Sequence, residues 1–203
     1  MPTTLTALPE LGLPLDPPRK HWTREECQQL ERAGIFDQQI FELIEGELFN
    51  KMGKNRPHIL TLVWMMKWLG EVFGTECVNP ESPIDVSPED RPTNEPQPDL
   101  IVFKQPSSHV QSGNPVPGDL HLVIEISDTS LYFDCTRKAG LYARAGIVEY
   151  WVLDVNGRRL IVHREPASGT YQSVKQYSAQ ERVAPLGAPN RSLLVGDAFA
   201  GLK

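Results

Sequence analysis

Short apolar runs and helical spacings alternate along this chain, and their clearest succession lies in its second half. The apolar run over residues 121–127 is rich in β-branched residues and predicts a buried strand. A helix is expected next, with Gly146 as the glycine that follows its last turn, and the apolar run 149–154 predicts a second strand. A strand, a helix and a strand within this length form a crossover unit, which favours parallel pairing of the two strands. The candidate N-cap residues of the helix are Ser127, Thr129 and Ser130.

Two further helices are predicted from capping residues and apolar spacing. Thr23 and Glu26 have the spacing of a capping box and predict a short helix that ends near Gly34. Residues 57–73 carry apolar side chains on nearly all sides, which predicts a long helix with little polar face. Such a helix is buried on two sides, so we expect the core to cover one side and a second copy of the chain to cover the other. A homodimer is therefore expected.

The remaining apolar segments predict strands joined by turns. Residues 41–50 are interrupted at Gly46, which indicates a bulge or a turn between two short strands. Asn156-Gly157 is typical of a type I′ hairpin turn, here between strands at 149–155 and 158–164. Two further strands are predicted, over 99–103 and 171–177.

Taken together, the elements predict an α/β fold with a partly parallel and partly antiparallel sheet. Residues 1–20 contain five prolines and almost no periodicity, so we expect an extended or disordered N-terminal arm. Residues 21–203 are sufficient for a single domain with a substantial core.

Composition narrows the range of functions only modestly. No apolar run approaches the roughly 18 residues of a membrane helix, and the N-terminus lacks the pattern of a secretion signal. We therefore expect a cytoplasmic protein with no membrane partner. Three widely spaced cysteines fit a reducing compartment and argue against a structural zinc site. A net charge of −6 argues against broad coating of nucleic acid but leaves room for a local basic groove.

Two acids lie in or beside predicted strands, where an isolated carboxylate would be costly to bury. Asp99 begins the strand at 99–103, and Glu125 lies within the strand at 121–127. If these strands pair, both carboxylates can converge on one hard cation such as Mg²⁺, which takes one or two carboxylates with water and phosphate oxygens. Lys138 lies on the following helix, at the edge of its apolar side, where it would position or activate a water molecule.

These residues belong to a longer pattern that resembles a known family. Asp99 follows a proline, Glu125 is embedded in Val-Ile-Glu-Ile-Ser, and residues 41–48 are Phe-Glu-Leu-Ile-Glu-Gly-Glu-Leu. The helix and the strand after it have the spacing Asp134-x-x-x-Lys138-x-x-x-Tyr142-Ala-x-x-Gly146-x-x-Glu149-Tyr-Trp151. Over roughly residues 22–199 the chain resembles the Uma-two family, which is classed among restriction endonucleases and belongs to the PD-(D/E)xK nuclease superfamily.

The resemblance implies a restriction-endonuclease-like core, in which a mixed β-sheet is flanked by helices, and a metal-dependent endonuclease acting on DNA in preference to RNA. It implies that Asp99 and Glu125 bind Mg²⁺ (or Mn²⁺). It also implies an accessory acid, for which we expect Glu47 in preference to Glu42. Alternation along one strand would place Glu42 on the opposite face from Glu45 and Glu47, unless Gly46 forms a bulge.

By the same resemblance, Lys138 is the catalytic lysine. In the wider superfamily the lysine stands two residues after the glutamate, where this chain has Ser127. The family resembled supplies its lysine from the following helix, so Lys138 is interpreted as a migrated equivalent.

Other interpretations of these residues stay open. Asp99 is also a typical turn residue at the start of a strand. Glu125 is able to form a buried salt bridge with Lys138, and Lys138 is able to pair with Asp134 one helical turn earlier. His58 is expected to be a hydrogen-bonding residue at a helix start rather than a ligand.

Two other functions compete with the DNA endonuclease. The first is a dimeric nucleic-acid-binding or interaction module that retains the fold without useful catalysis. The second is a metal-dependent hydrolase that acts on RNA or on a small phosphodiester.

Overall fold

A six-stranded mixed β-sheet forms the centre of the protein. A computed structural model describes residues 19–36, 39–51, 53–110 and 112–202, so most of the predicted N-terminal arm lies outside the described residues. The strands, in chain order, are β1 (Phe41–Ile44), β2 (Glu47–Asn50), β3 (Val78–Pro80), β4 (Leu100–Phe103), β5 (Leu120–Ser127), β6 (Glu149–Asp154), β7 (Arg159–Ala167), β8 (Thr170–Tyr177), β9 (Arg182–Val183) and β10 (Leu193–Leu194).

Three longer helical segments accompany the strands. The first is α1 (Arg24–Arg32) and the second is α2 (Arg56–Phe73). The third spans 131–144 and is called the π-containing helix, because an α-helical start (Leu131–Phe133) and an α-helical end (Ala139–Arg144) flank a π-helical turn (Asp134–Lys138). Short 3₁₀ turns occur at Thr75–Cys77, Arg91–Thr93, Ser107–His109, Pro117–Asp119 and Val195–Phe199.

The central sheet has the strand order β3-β4-β5-β6-β7-β8. Strands β5 and β6 are parallel, and every other neighbouring pair in this sheet is antiparallel. The parallel pair is joined through the π-containing helix, which confirms the crossover unit predicted from the apolar runs. Two small antiparallel sheets, β1-β2 and β9-β10, lie outside the central sheet.

Helices cover both faces of the central sheet because side chains on a strand alternate between its faces. On one face, Leu100 packs in the same apolar cluster as Met65 and Leu69 of α2. On the other face, the next residue, Ile101, packs in the same cluster as Tyr142 of the π-containing helix. The α/β class and the mixed sheet flanked by helices, both predicted, are therefore confirmed.

The outer side of α2 is exposed in the single chain. Ile59 and Val63 are 44% and 59% exposed, whereas Met65 and Leu69 on the opposite side are fully buried. The second subunit expected to cover this outer side stays a prediction. Within the described residues, no helix combines the length and apolar character needed to cross a membrane.

The capping box of α1 is confirmed. The side-chain oxygen of Thr23 accepts a hydrogen bond from the backbone N–H of Glu26, and the Thr23 N–H donates to the Glu26 carboxylate at 2.9 Å. Such reciprocal bonds satisfy backbone donors that the first helical turn leaves free.

Of the three predicted N-caps of the π-containing helix, Ser130 holds the N-cap position, but among the described residues its side chain makes no capping hydrogen bond. Instead, the hydroxyl groups of Ser127 and Ser130 each donate to Asp134 at 2.6 Å. The two hydroxyl groups therefore bind the buried carboxylate of Asp134, one turn into the helix, and not the backbone N–H groups at the helix N-terminus.

The prediction of a type I′ turn at Asn156-Gly157 is wrong. Asp154 pairs with Arg159, so residues 155–158 form a four-residue connection, and neither Asn156 nor Gly157 has a positive φ. The Asp154 carboxylate organises this turn by accepting the backbone N–H of Gly157 at 2.8 Å.

The two-residue turn that fits the type I′ requirement lies elsewhere, between β1 and β2. Its central residues, Glu45 and Gly46, both have positive φ, at 52° and 77°. This result decides the open choice at Gly46 in favour of a turn between two short strands.

Candidate active-site cleft

The two acids predicted from the strands lie side by side at the edge of a cleft of about 350 Å³. Strands β4 and β5 are antiparallel neighbours with Leu100 opposite Ile124, so continuing this register by one residue places Asp99 opposite Glu125. Both side chains are buried. The adjacency of the two strands, which the sequence suggested, is thus confirmed, and the pairing register brings the two carboxylates together.

Asp99 is held as a charged carboxylate by three neighbours. Its Oδ1 lies 3.1 Å from the ammonium nitrogen of Lys54. Its Oδ2 accepts hydrogen bonds from His58 Nε2 at 3.1 Å and from the backbone N–H of Ile126 at 2.8 Å. Burial alone would raise the pKa of Asp99, but His58 and the nearby lysines Lys51 and Lys54 hold the pKa well below its usual range.

Glu125 is one of two acids bound to the same buried lysine. The Nζ of Lys138 lies 2.9 Å from Glu125 Oε1 and 2.9 Å from Glu42 Oε2. The hydroxyl of Tyr142 donates to the same Oε1 of Glu125 at 3.0 Å. A third acid, Asp134, lies 3.9 Å from Nζ. The salt bridge between Glu125 and Lys138 is therefore present, and Lys138 is the shared centre of an acidic cluster.

The charges in this cluster do not balance, because one ammonium group faces three carboxylates. Burial raises the pKa of Glu125 to about 8, with Lys138 lowering it and the neighbouring acids raising it further. For Lys138, burial lowers the pKa, but Glu125, Glu42 and Asp134 together raise it well above the usual range of a lysine. Lys138 therefore stays protonated. A proton retained among the neighbouring carboxyl groups relieves the excess of negative charge in the cluster.

The π-helical turn sets the positions of Asp134 and Lys138. In this turn the backbone N–H of Ala139 donates to the carbonyl of Asp134 five residues earlier, and the hydroxyl of Tyr150 donates to the same carbonyl at 3.0 Å. Both Asp134 and Lys138 are buried. Single π-helical turns within α-helices are frequent at functional sites, and this one presents its lysine to the sheet.

The structure brings Glu42, and not Glu47, into the cleft. Glu42 pairs across the hairpin with Phe49, and Ile44 pairs with Glu47. Since cross-strand partners share a face, Glu42 and Glu47 lie on the same face, contrary to the alternation argument, because the chain reverses at the turn. Glu47 lies beside that turn, about one third exposed, and binds Arg137 at 2.8 Å.

Sequence reasoning did not assign Lys54 and His58 to the site. The two residues stand four positions apart in the sequence, and His58 was expected only as a helix-start residue. The backbone N–H of His58 does bind the N-cap Asn55 at 3.0 Å, as a helix-start residue should. Its ring also reaches Asp99, and the other ring nitrogen, Nδ1, is buried and has no hydrogen-bond partner within the described part of the chain.

The donor set suits a hard divalent cation that keeps most of its water. Asp99 and Glu125 supply two carboxylates, and Mg²⁺ is commonly bound by one or two carboxylates together with water and substrate phosphate. Within the described residues no group of three or more His, Cys, Asp or Glu side chains is arranged to hold a metal ion. Two carboxylates would leave the remaining coordination positions of such an ion to water and substrate.

The fold and the paired acids define the class of this protein as a restriction-endonuclease-like α/β protein, as predicted. The fold is shared with a solved structure described as "a putative nuclease belonging to DUF820" from Anabaena variabilis ATCC 29413. The TM-score is 0.61 and the identity 17%, over 80% of this chain and 91% of the other.

Residues 24–196 match the Uma2 family, described as "Putative restriction endonuclease", and the chain belongs to this family. The resemblance stated from the motifs is thereby confirmed. No curated protein matches the chain. Family and fold together support a nuclease.

Proposed function

We propose that this protein is a metal-dependent endonuclease that hydrolyses phosphodiester bonds in DNA. The single observation that carries the proposal is the convergence of Asp99, Glu125 and Lys138 in one cleft. Two carboxylates and a cation at the edge of a sheet are suited to a reaction in which charge develops on a phosphoryl group. Membership of the family supports the same class of activity.

Asp99 and Glu125 are proposed to hold Mg²⁺ or Mn²⁺. A bound divalent ion supplies Lewis-acid polarisation of the phosphoryl group and lowers the pKa of a coordinated water molecule. The residues around the two acids orient them. Tyr142 donates to Glu125, while His58 and the backbone N–H of Ile126 donate to Asp99, so neither carboxylate rotates freely.

Lys138 is proposed to position the attacking water and to stabilise negative charge on the phosphoryl oxygens. Its ammonium group lies 2.9 Å from the carboxylates of both Glu125 and Glu42, which fix its direction from two sides. We propose Glu42 as the accessory acid in place of Glu47, since Glu42 contacts Lys138 and borders the cleft. Its role is to hold the lysine.

The proposal is tested by cleavage of supercoiled plasmid DNA with Mg²⁺, with Mn²⁺ and with a chelator. Wild-type protein should cut only when a divalent ion is present, and Asp99→Asn and Glu125→Gln should each reduce the rate roughly 10²-fold or more. Glu71→Gln, which removes an exposed acid outside the cleft, is the matched control. Thermal unfolding of every variant verifies that it is folded.

A panel of DNA, RNA and a small phosphodiester identifies the substrate class. Preferential cleavage of RNA or of the small phosphodiester would replace DNA as the proposed substrate. If the wild-type protein hydrolyses none of these substrates with either Mg²⁺ or Mn²⁺, the proposed endonuclease activity is overturned.

One observation favours the second candidate function, a dimeric nucleic-acid-binding module without catalysis. Lys54 and Lys138 already provide cationic partners for Asp99 and Glu125, so the two acids have counter-charges within the chain itself. DNA binding that is independent of metal, in a protein that cuts none of the substrates, would support this module. Light scattering measures whether the protein forms the expected homodimer.

A further inference from the structure

A second cleft, of about 490 Å³, borders the candidate active-site cleft. Asn55 borders the active-site cleft, and the next residue, Arg56, borders the second cleft. The two clefts are joined by a hydrogen-bonded bridge in which Asp128 accepts from the side chains of both Asn55 and Asn156. Asn156 lines the second cleft, so the bridge is a shared wall, and a chain-like ligand lying in one cleft is able to continue into the other.

The charge of the second cleft has the opposite sign to that of the whole protein. Among the described residues that line it, Arg56 and Arg158 are the only ionisable ones, whereas the chain carries a formal net charge of −6. Among the described residues neither arginine forms an ion pair. One guanidinium nitrogen of Arg158 donates a hydrogen bond to the carbonyl of Leu202 at 3.1 Å. The side chains of Arg56 and Arg158 are both exposed. Two guanidinium groups without ion pairs in one cleft suit a ligand that carries repeated negative charges.

The turn between β6 and β7 fixes the backbone position of Arg158. Arg158 has a φ of 47°, in the left-handed region that favours glycine, although a glycine stands immediately before it. Asp154 stabilises the turn by binding the Gly157 N–H at 2.8 Å and the Arg159 side chain at 2.7 Å.

The rest of the lining and the end of α2 fit the same ligand. The first turn of α2 contains no acidic residue, so its positive end is not neutralised by a side chain of that turn. Pro57, Leu60, Val155 and Leu202 add apolar surface to the lining that contains the two arginines. A cleft lined by apolar side chains and arginines is suited to the sugars and phosphates of a nucleic-acid strand.

We propose that this second cleft binds the phosphate backbone of DNA next to the bond that is cut, with Arg56 and Arg158 as phosphate contacts. This inference rests on the proposed function in so far as it takes DNA as the substrate. It adds a binding surface outside the catalytic cleft. It also gives the path of the bound strand over the protein, which runs from Asp99 past Asn55 towards Arg158.

The experiment measures binding of a fluorescently labelled duplex by anisotropy, in chelator so that no cleavage occurs, over a range of salt concentrations. Arg56→Ala/Arg158→Ala should weaken binding at least about tenfold at ~0.1 M salt. The slope of log affinity against log salt should fall by about 1.8, since each phosphate contact contributes ~0.9. Arg182→Ala is the matched control, because Arg182 is also exposed, has no ion-pair partner among the described residues and contacts Ser192 only weakly.

An unchanged affinity and salt slope in the double variant, or an equal loss in Arg182→Ala, would overturn the inference. Hydrolysis of bis(p-nitrophenyl) phosphate, which is too small to reach the second cleft, separates this result from the proposed function. We expect the double variant to hydrolyse this compound at the wild-type rate while its KM for DNA rises. A further outcome is that the wild-type protein cuts no substrate but the double variant still loses affinity for DNA. This outcome would support DNA binding in the second cleft and would reject the proposed endonuclease activity.

Discussion

Replacing Lys138 with methionine should destabilise the whole protein, in addition to any effect on activity. Methionine retains the length and most of the volume of the side chain but removes the charge. In the folded protein this change leaves Glu125, Glu42 and Asp134 together, all buried, without the cation that two of them contact at 2.9 Å. Removing one partner of a buried ion pair leaves an uncompensated buried charge, which is far more costly than losing a surface salt bridge.

The expected loss is about 3–5 kcal/mol in the free energy of unfolding. For a protein of this size each kcal/mol lowers the melting temperature by roughly 2–4 °C, so Lys138→Met should melt about 6–20 °C below wild type. Lys67→Met is the matched control. Lys67 is 79% exposed and its nitrogen lies 4.0 Å from Glu71, so its loss should change stability by less than about 1 kcal/mol.

Chemical denaturation and differential scanning calorimetry provide the two measurements. Adding Glu42→Gln to Lys138→Met should recover part of the lost stability, since the double variant removes one of the unpaired carboxylates. The four proteins of this double-mutant cycle give the coupling between Lys138 and Glu42 directly. If Lys138→Met melts within about 2 °C of wild type, the buried acids do not depend on this lysine and the electrostatic reasoning fails.

Two other predictions concern the accessory acid and a buried histidine. Glu42→Gln should lower the cleavage rate about 10–100-fold, as expected for a residue that orients a catalytic group, and Glu47→Gln should lower it less. The plasmid assay measures both rates. A larger loss in Glu47→Gln would assign the role of accessory acid to Glu47. Burial lowers the pKa of His163 to about 4, with a backbone hydrogen bond to Tyr150 acting in the opposite sense. Because the unfolded chain binds this proton below pH ~6.5 and the folded chain does not, stability should fall by up to about 3 kcal/mol between pH 6.5 and 4. His163→Gln should show a smaller fall over that range, and equal falls in urea titrations of the two proteins would contradict this assignment.

Much of the fold was accessible from local pattern, because the buried strands are apolar on both faces. β5 and β6 were predicted nearly to their observed ends, and the helix between them implied their parallel pairing. The limits of local reasoning appear at the turns. Turn type depends on the positions of neighbouring side chains, as with the Asp154 carboxylate beneath Gly157, and dipeptide statistics do not contain that information.

Sequence alone singled out Asp99 and Glu125, because a charged residue in or beside an apolar run needs a partner, and it singled out Lys138 from its place on the following helix together with the family resemblance. It was not sufficient for Lys54, His58 and Glu42, since their presence in the cleft depends on how separate elements pack. α2 is placed on the sheet by its apolar side, and only that packing brings His58 to Asp99. In the β1-β2 hairpin, Glu42 and Glu47 share a face, and their different neighbours separate them, since Glu42 contacts Lys138 and Glu47 contacts Arg137.

The chain's own pattern therefore determined the strands, the long helix and the two acids on neighbouring strands, because these follow from the burial of apolar residues near in sequence. Tertiary structure decided the strand register that sets Asp99 opposite Glu125 and the placement of Glu42 on Lys138. It also decided the π-helical turn, in which Tyr150 binds the carbonyl of Asp134. Each of these features depends on contacts between residues far apart along the chain, and no local sequence signal specifies such contacts.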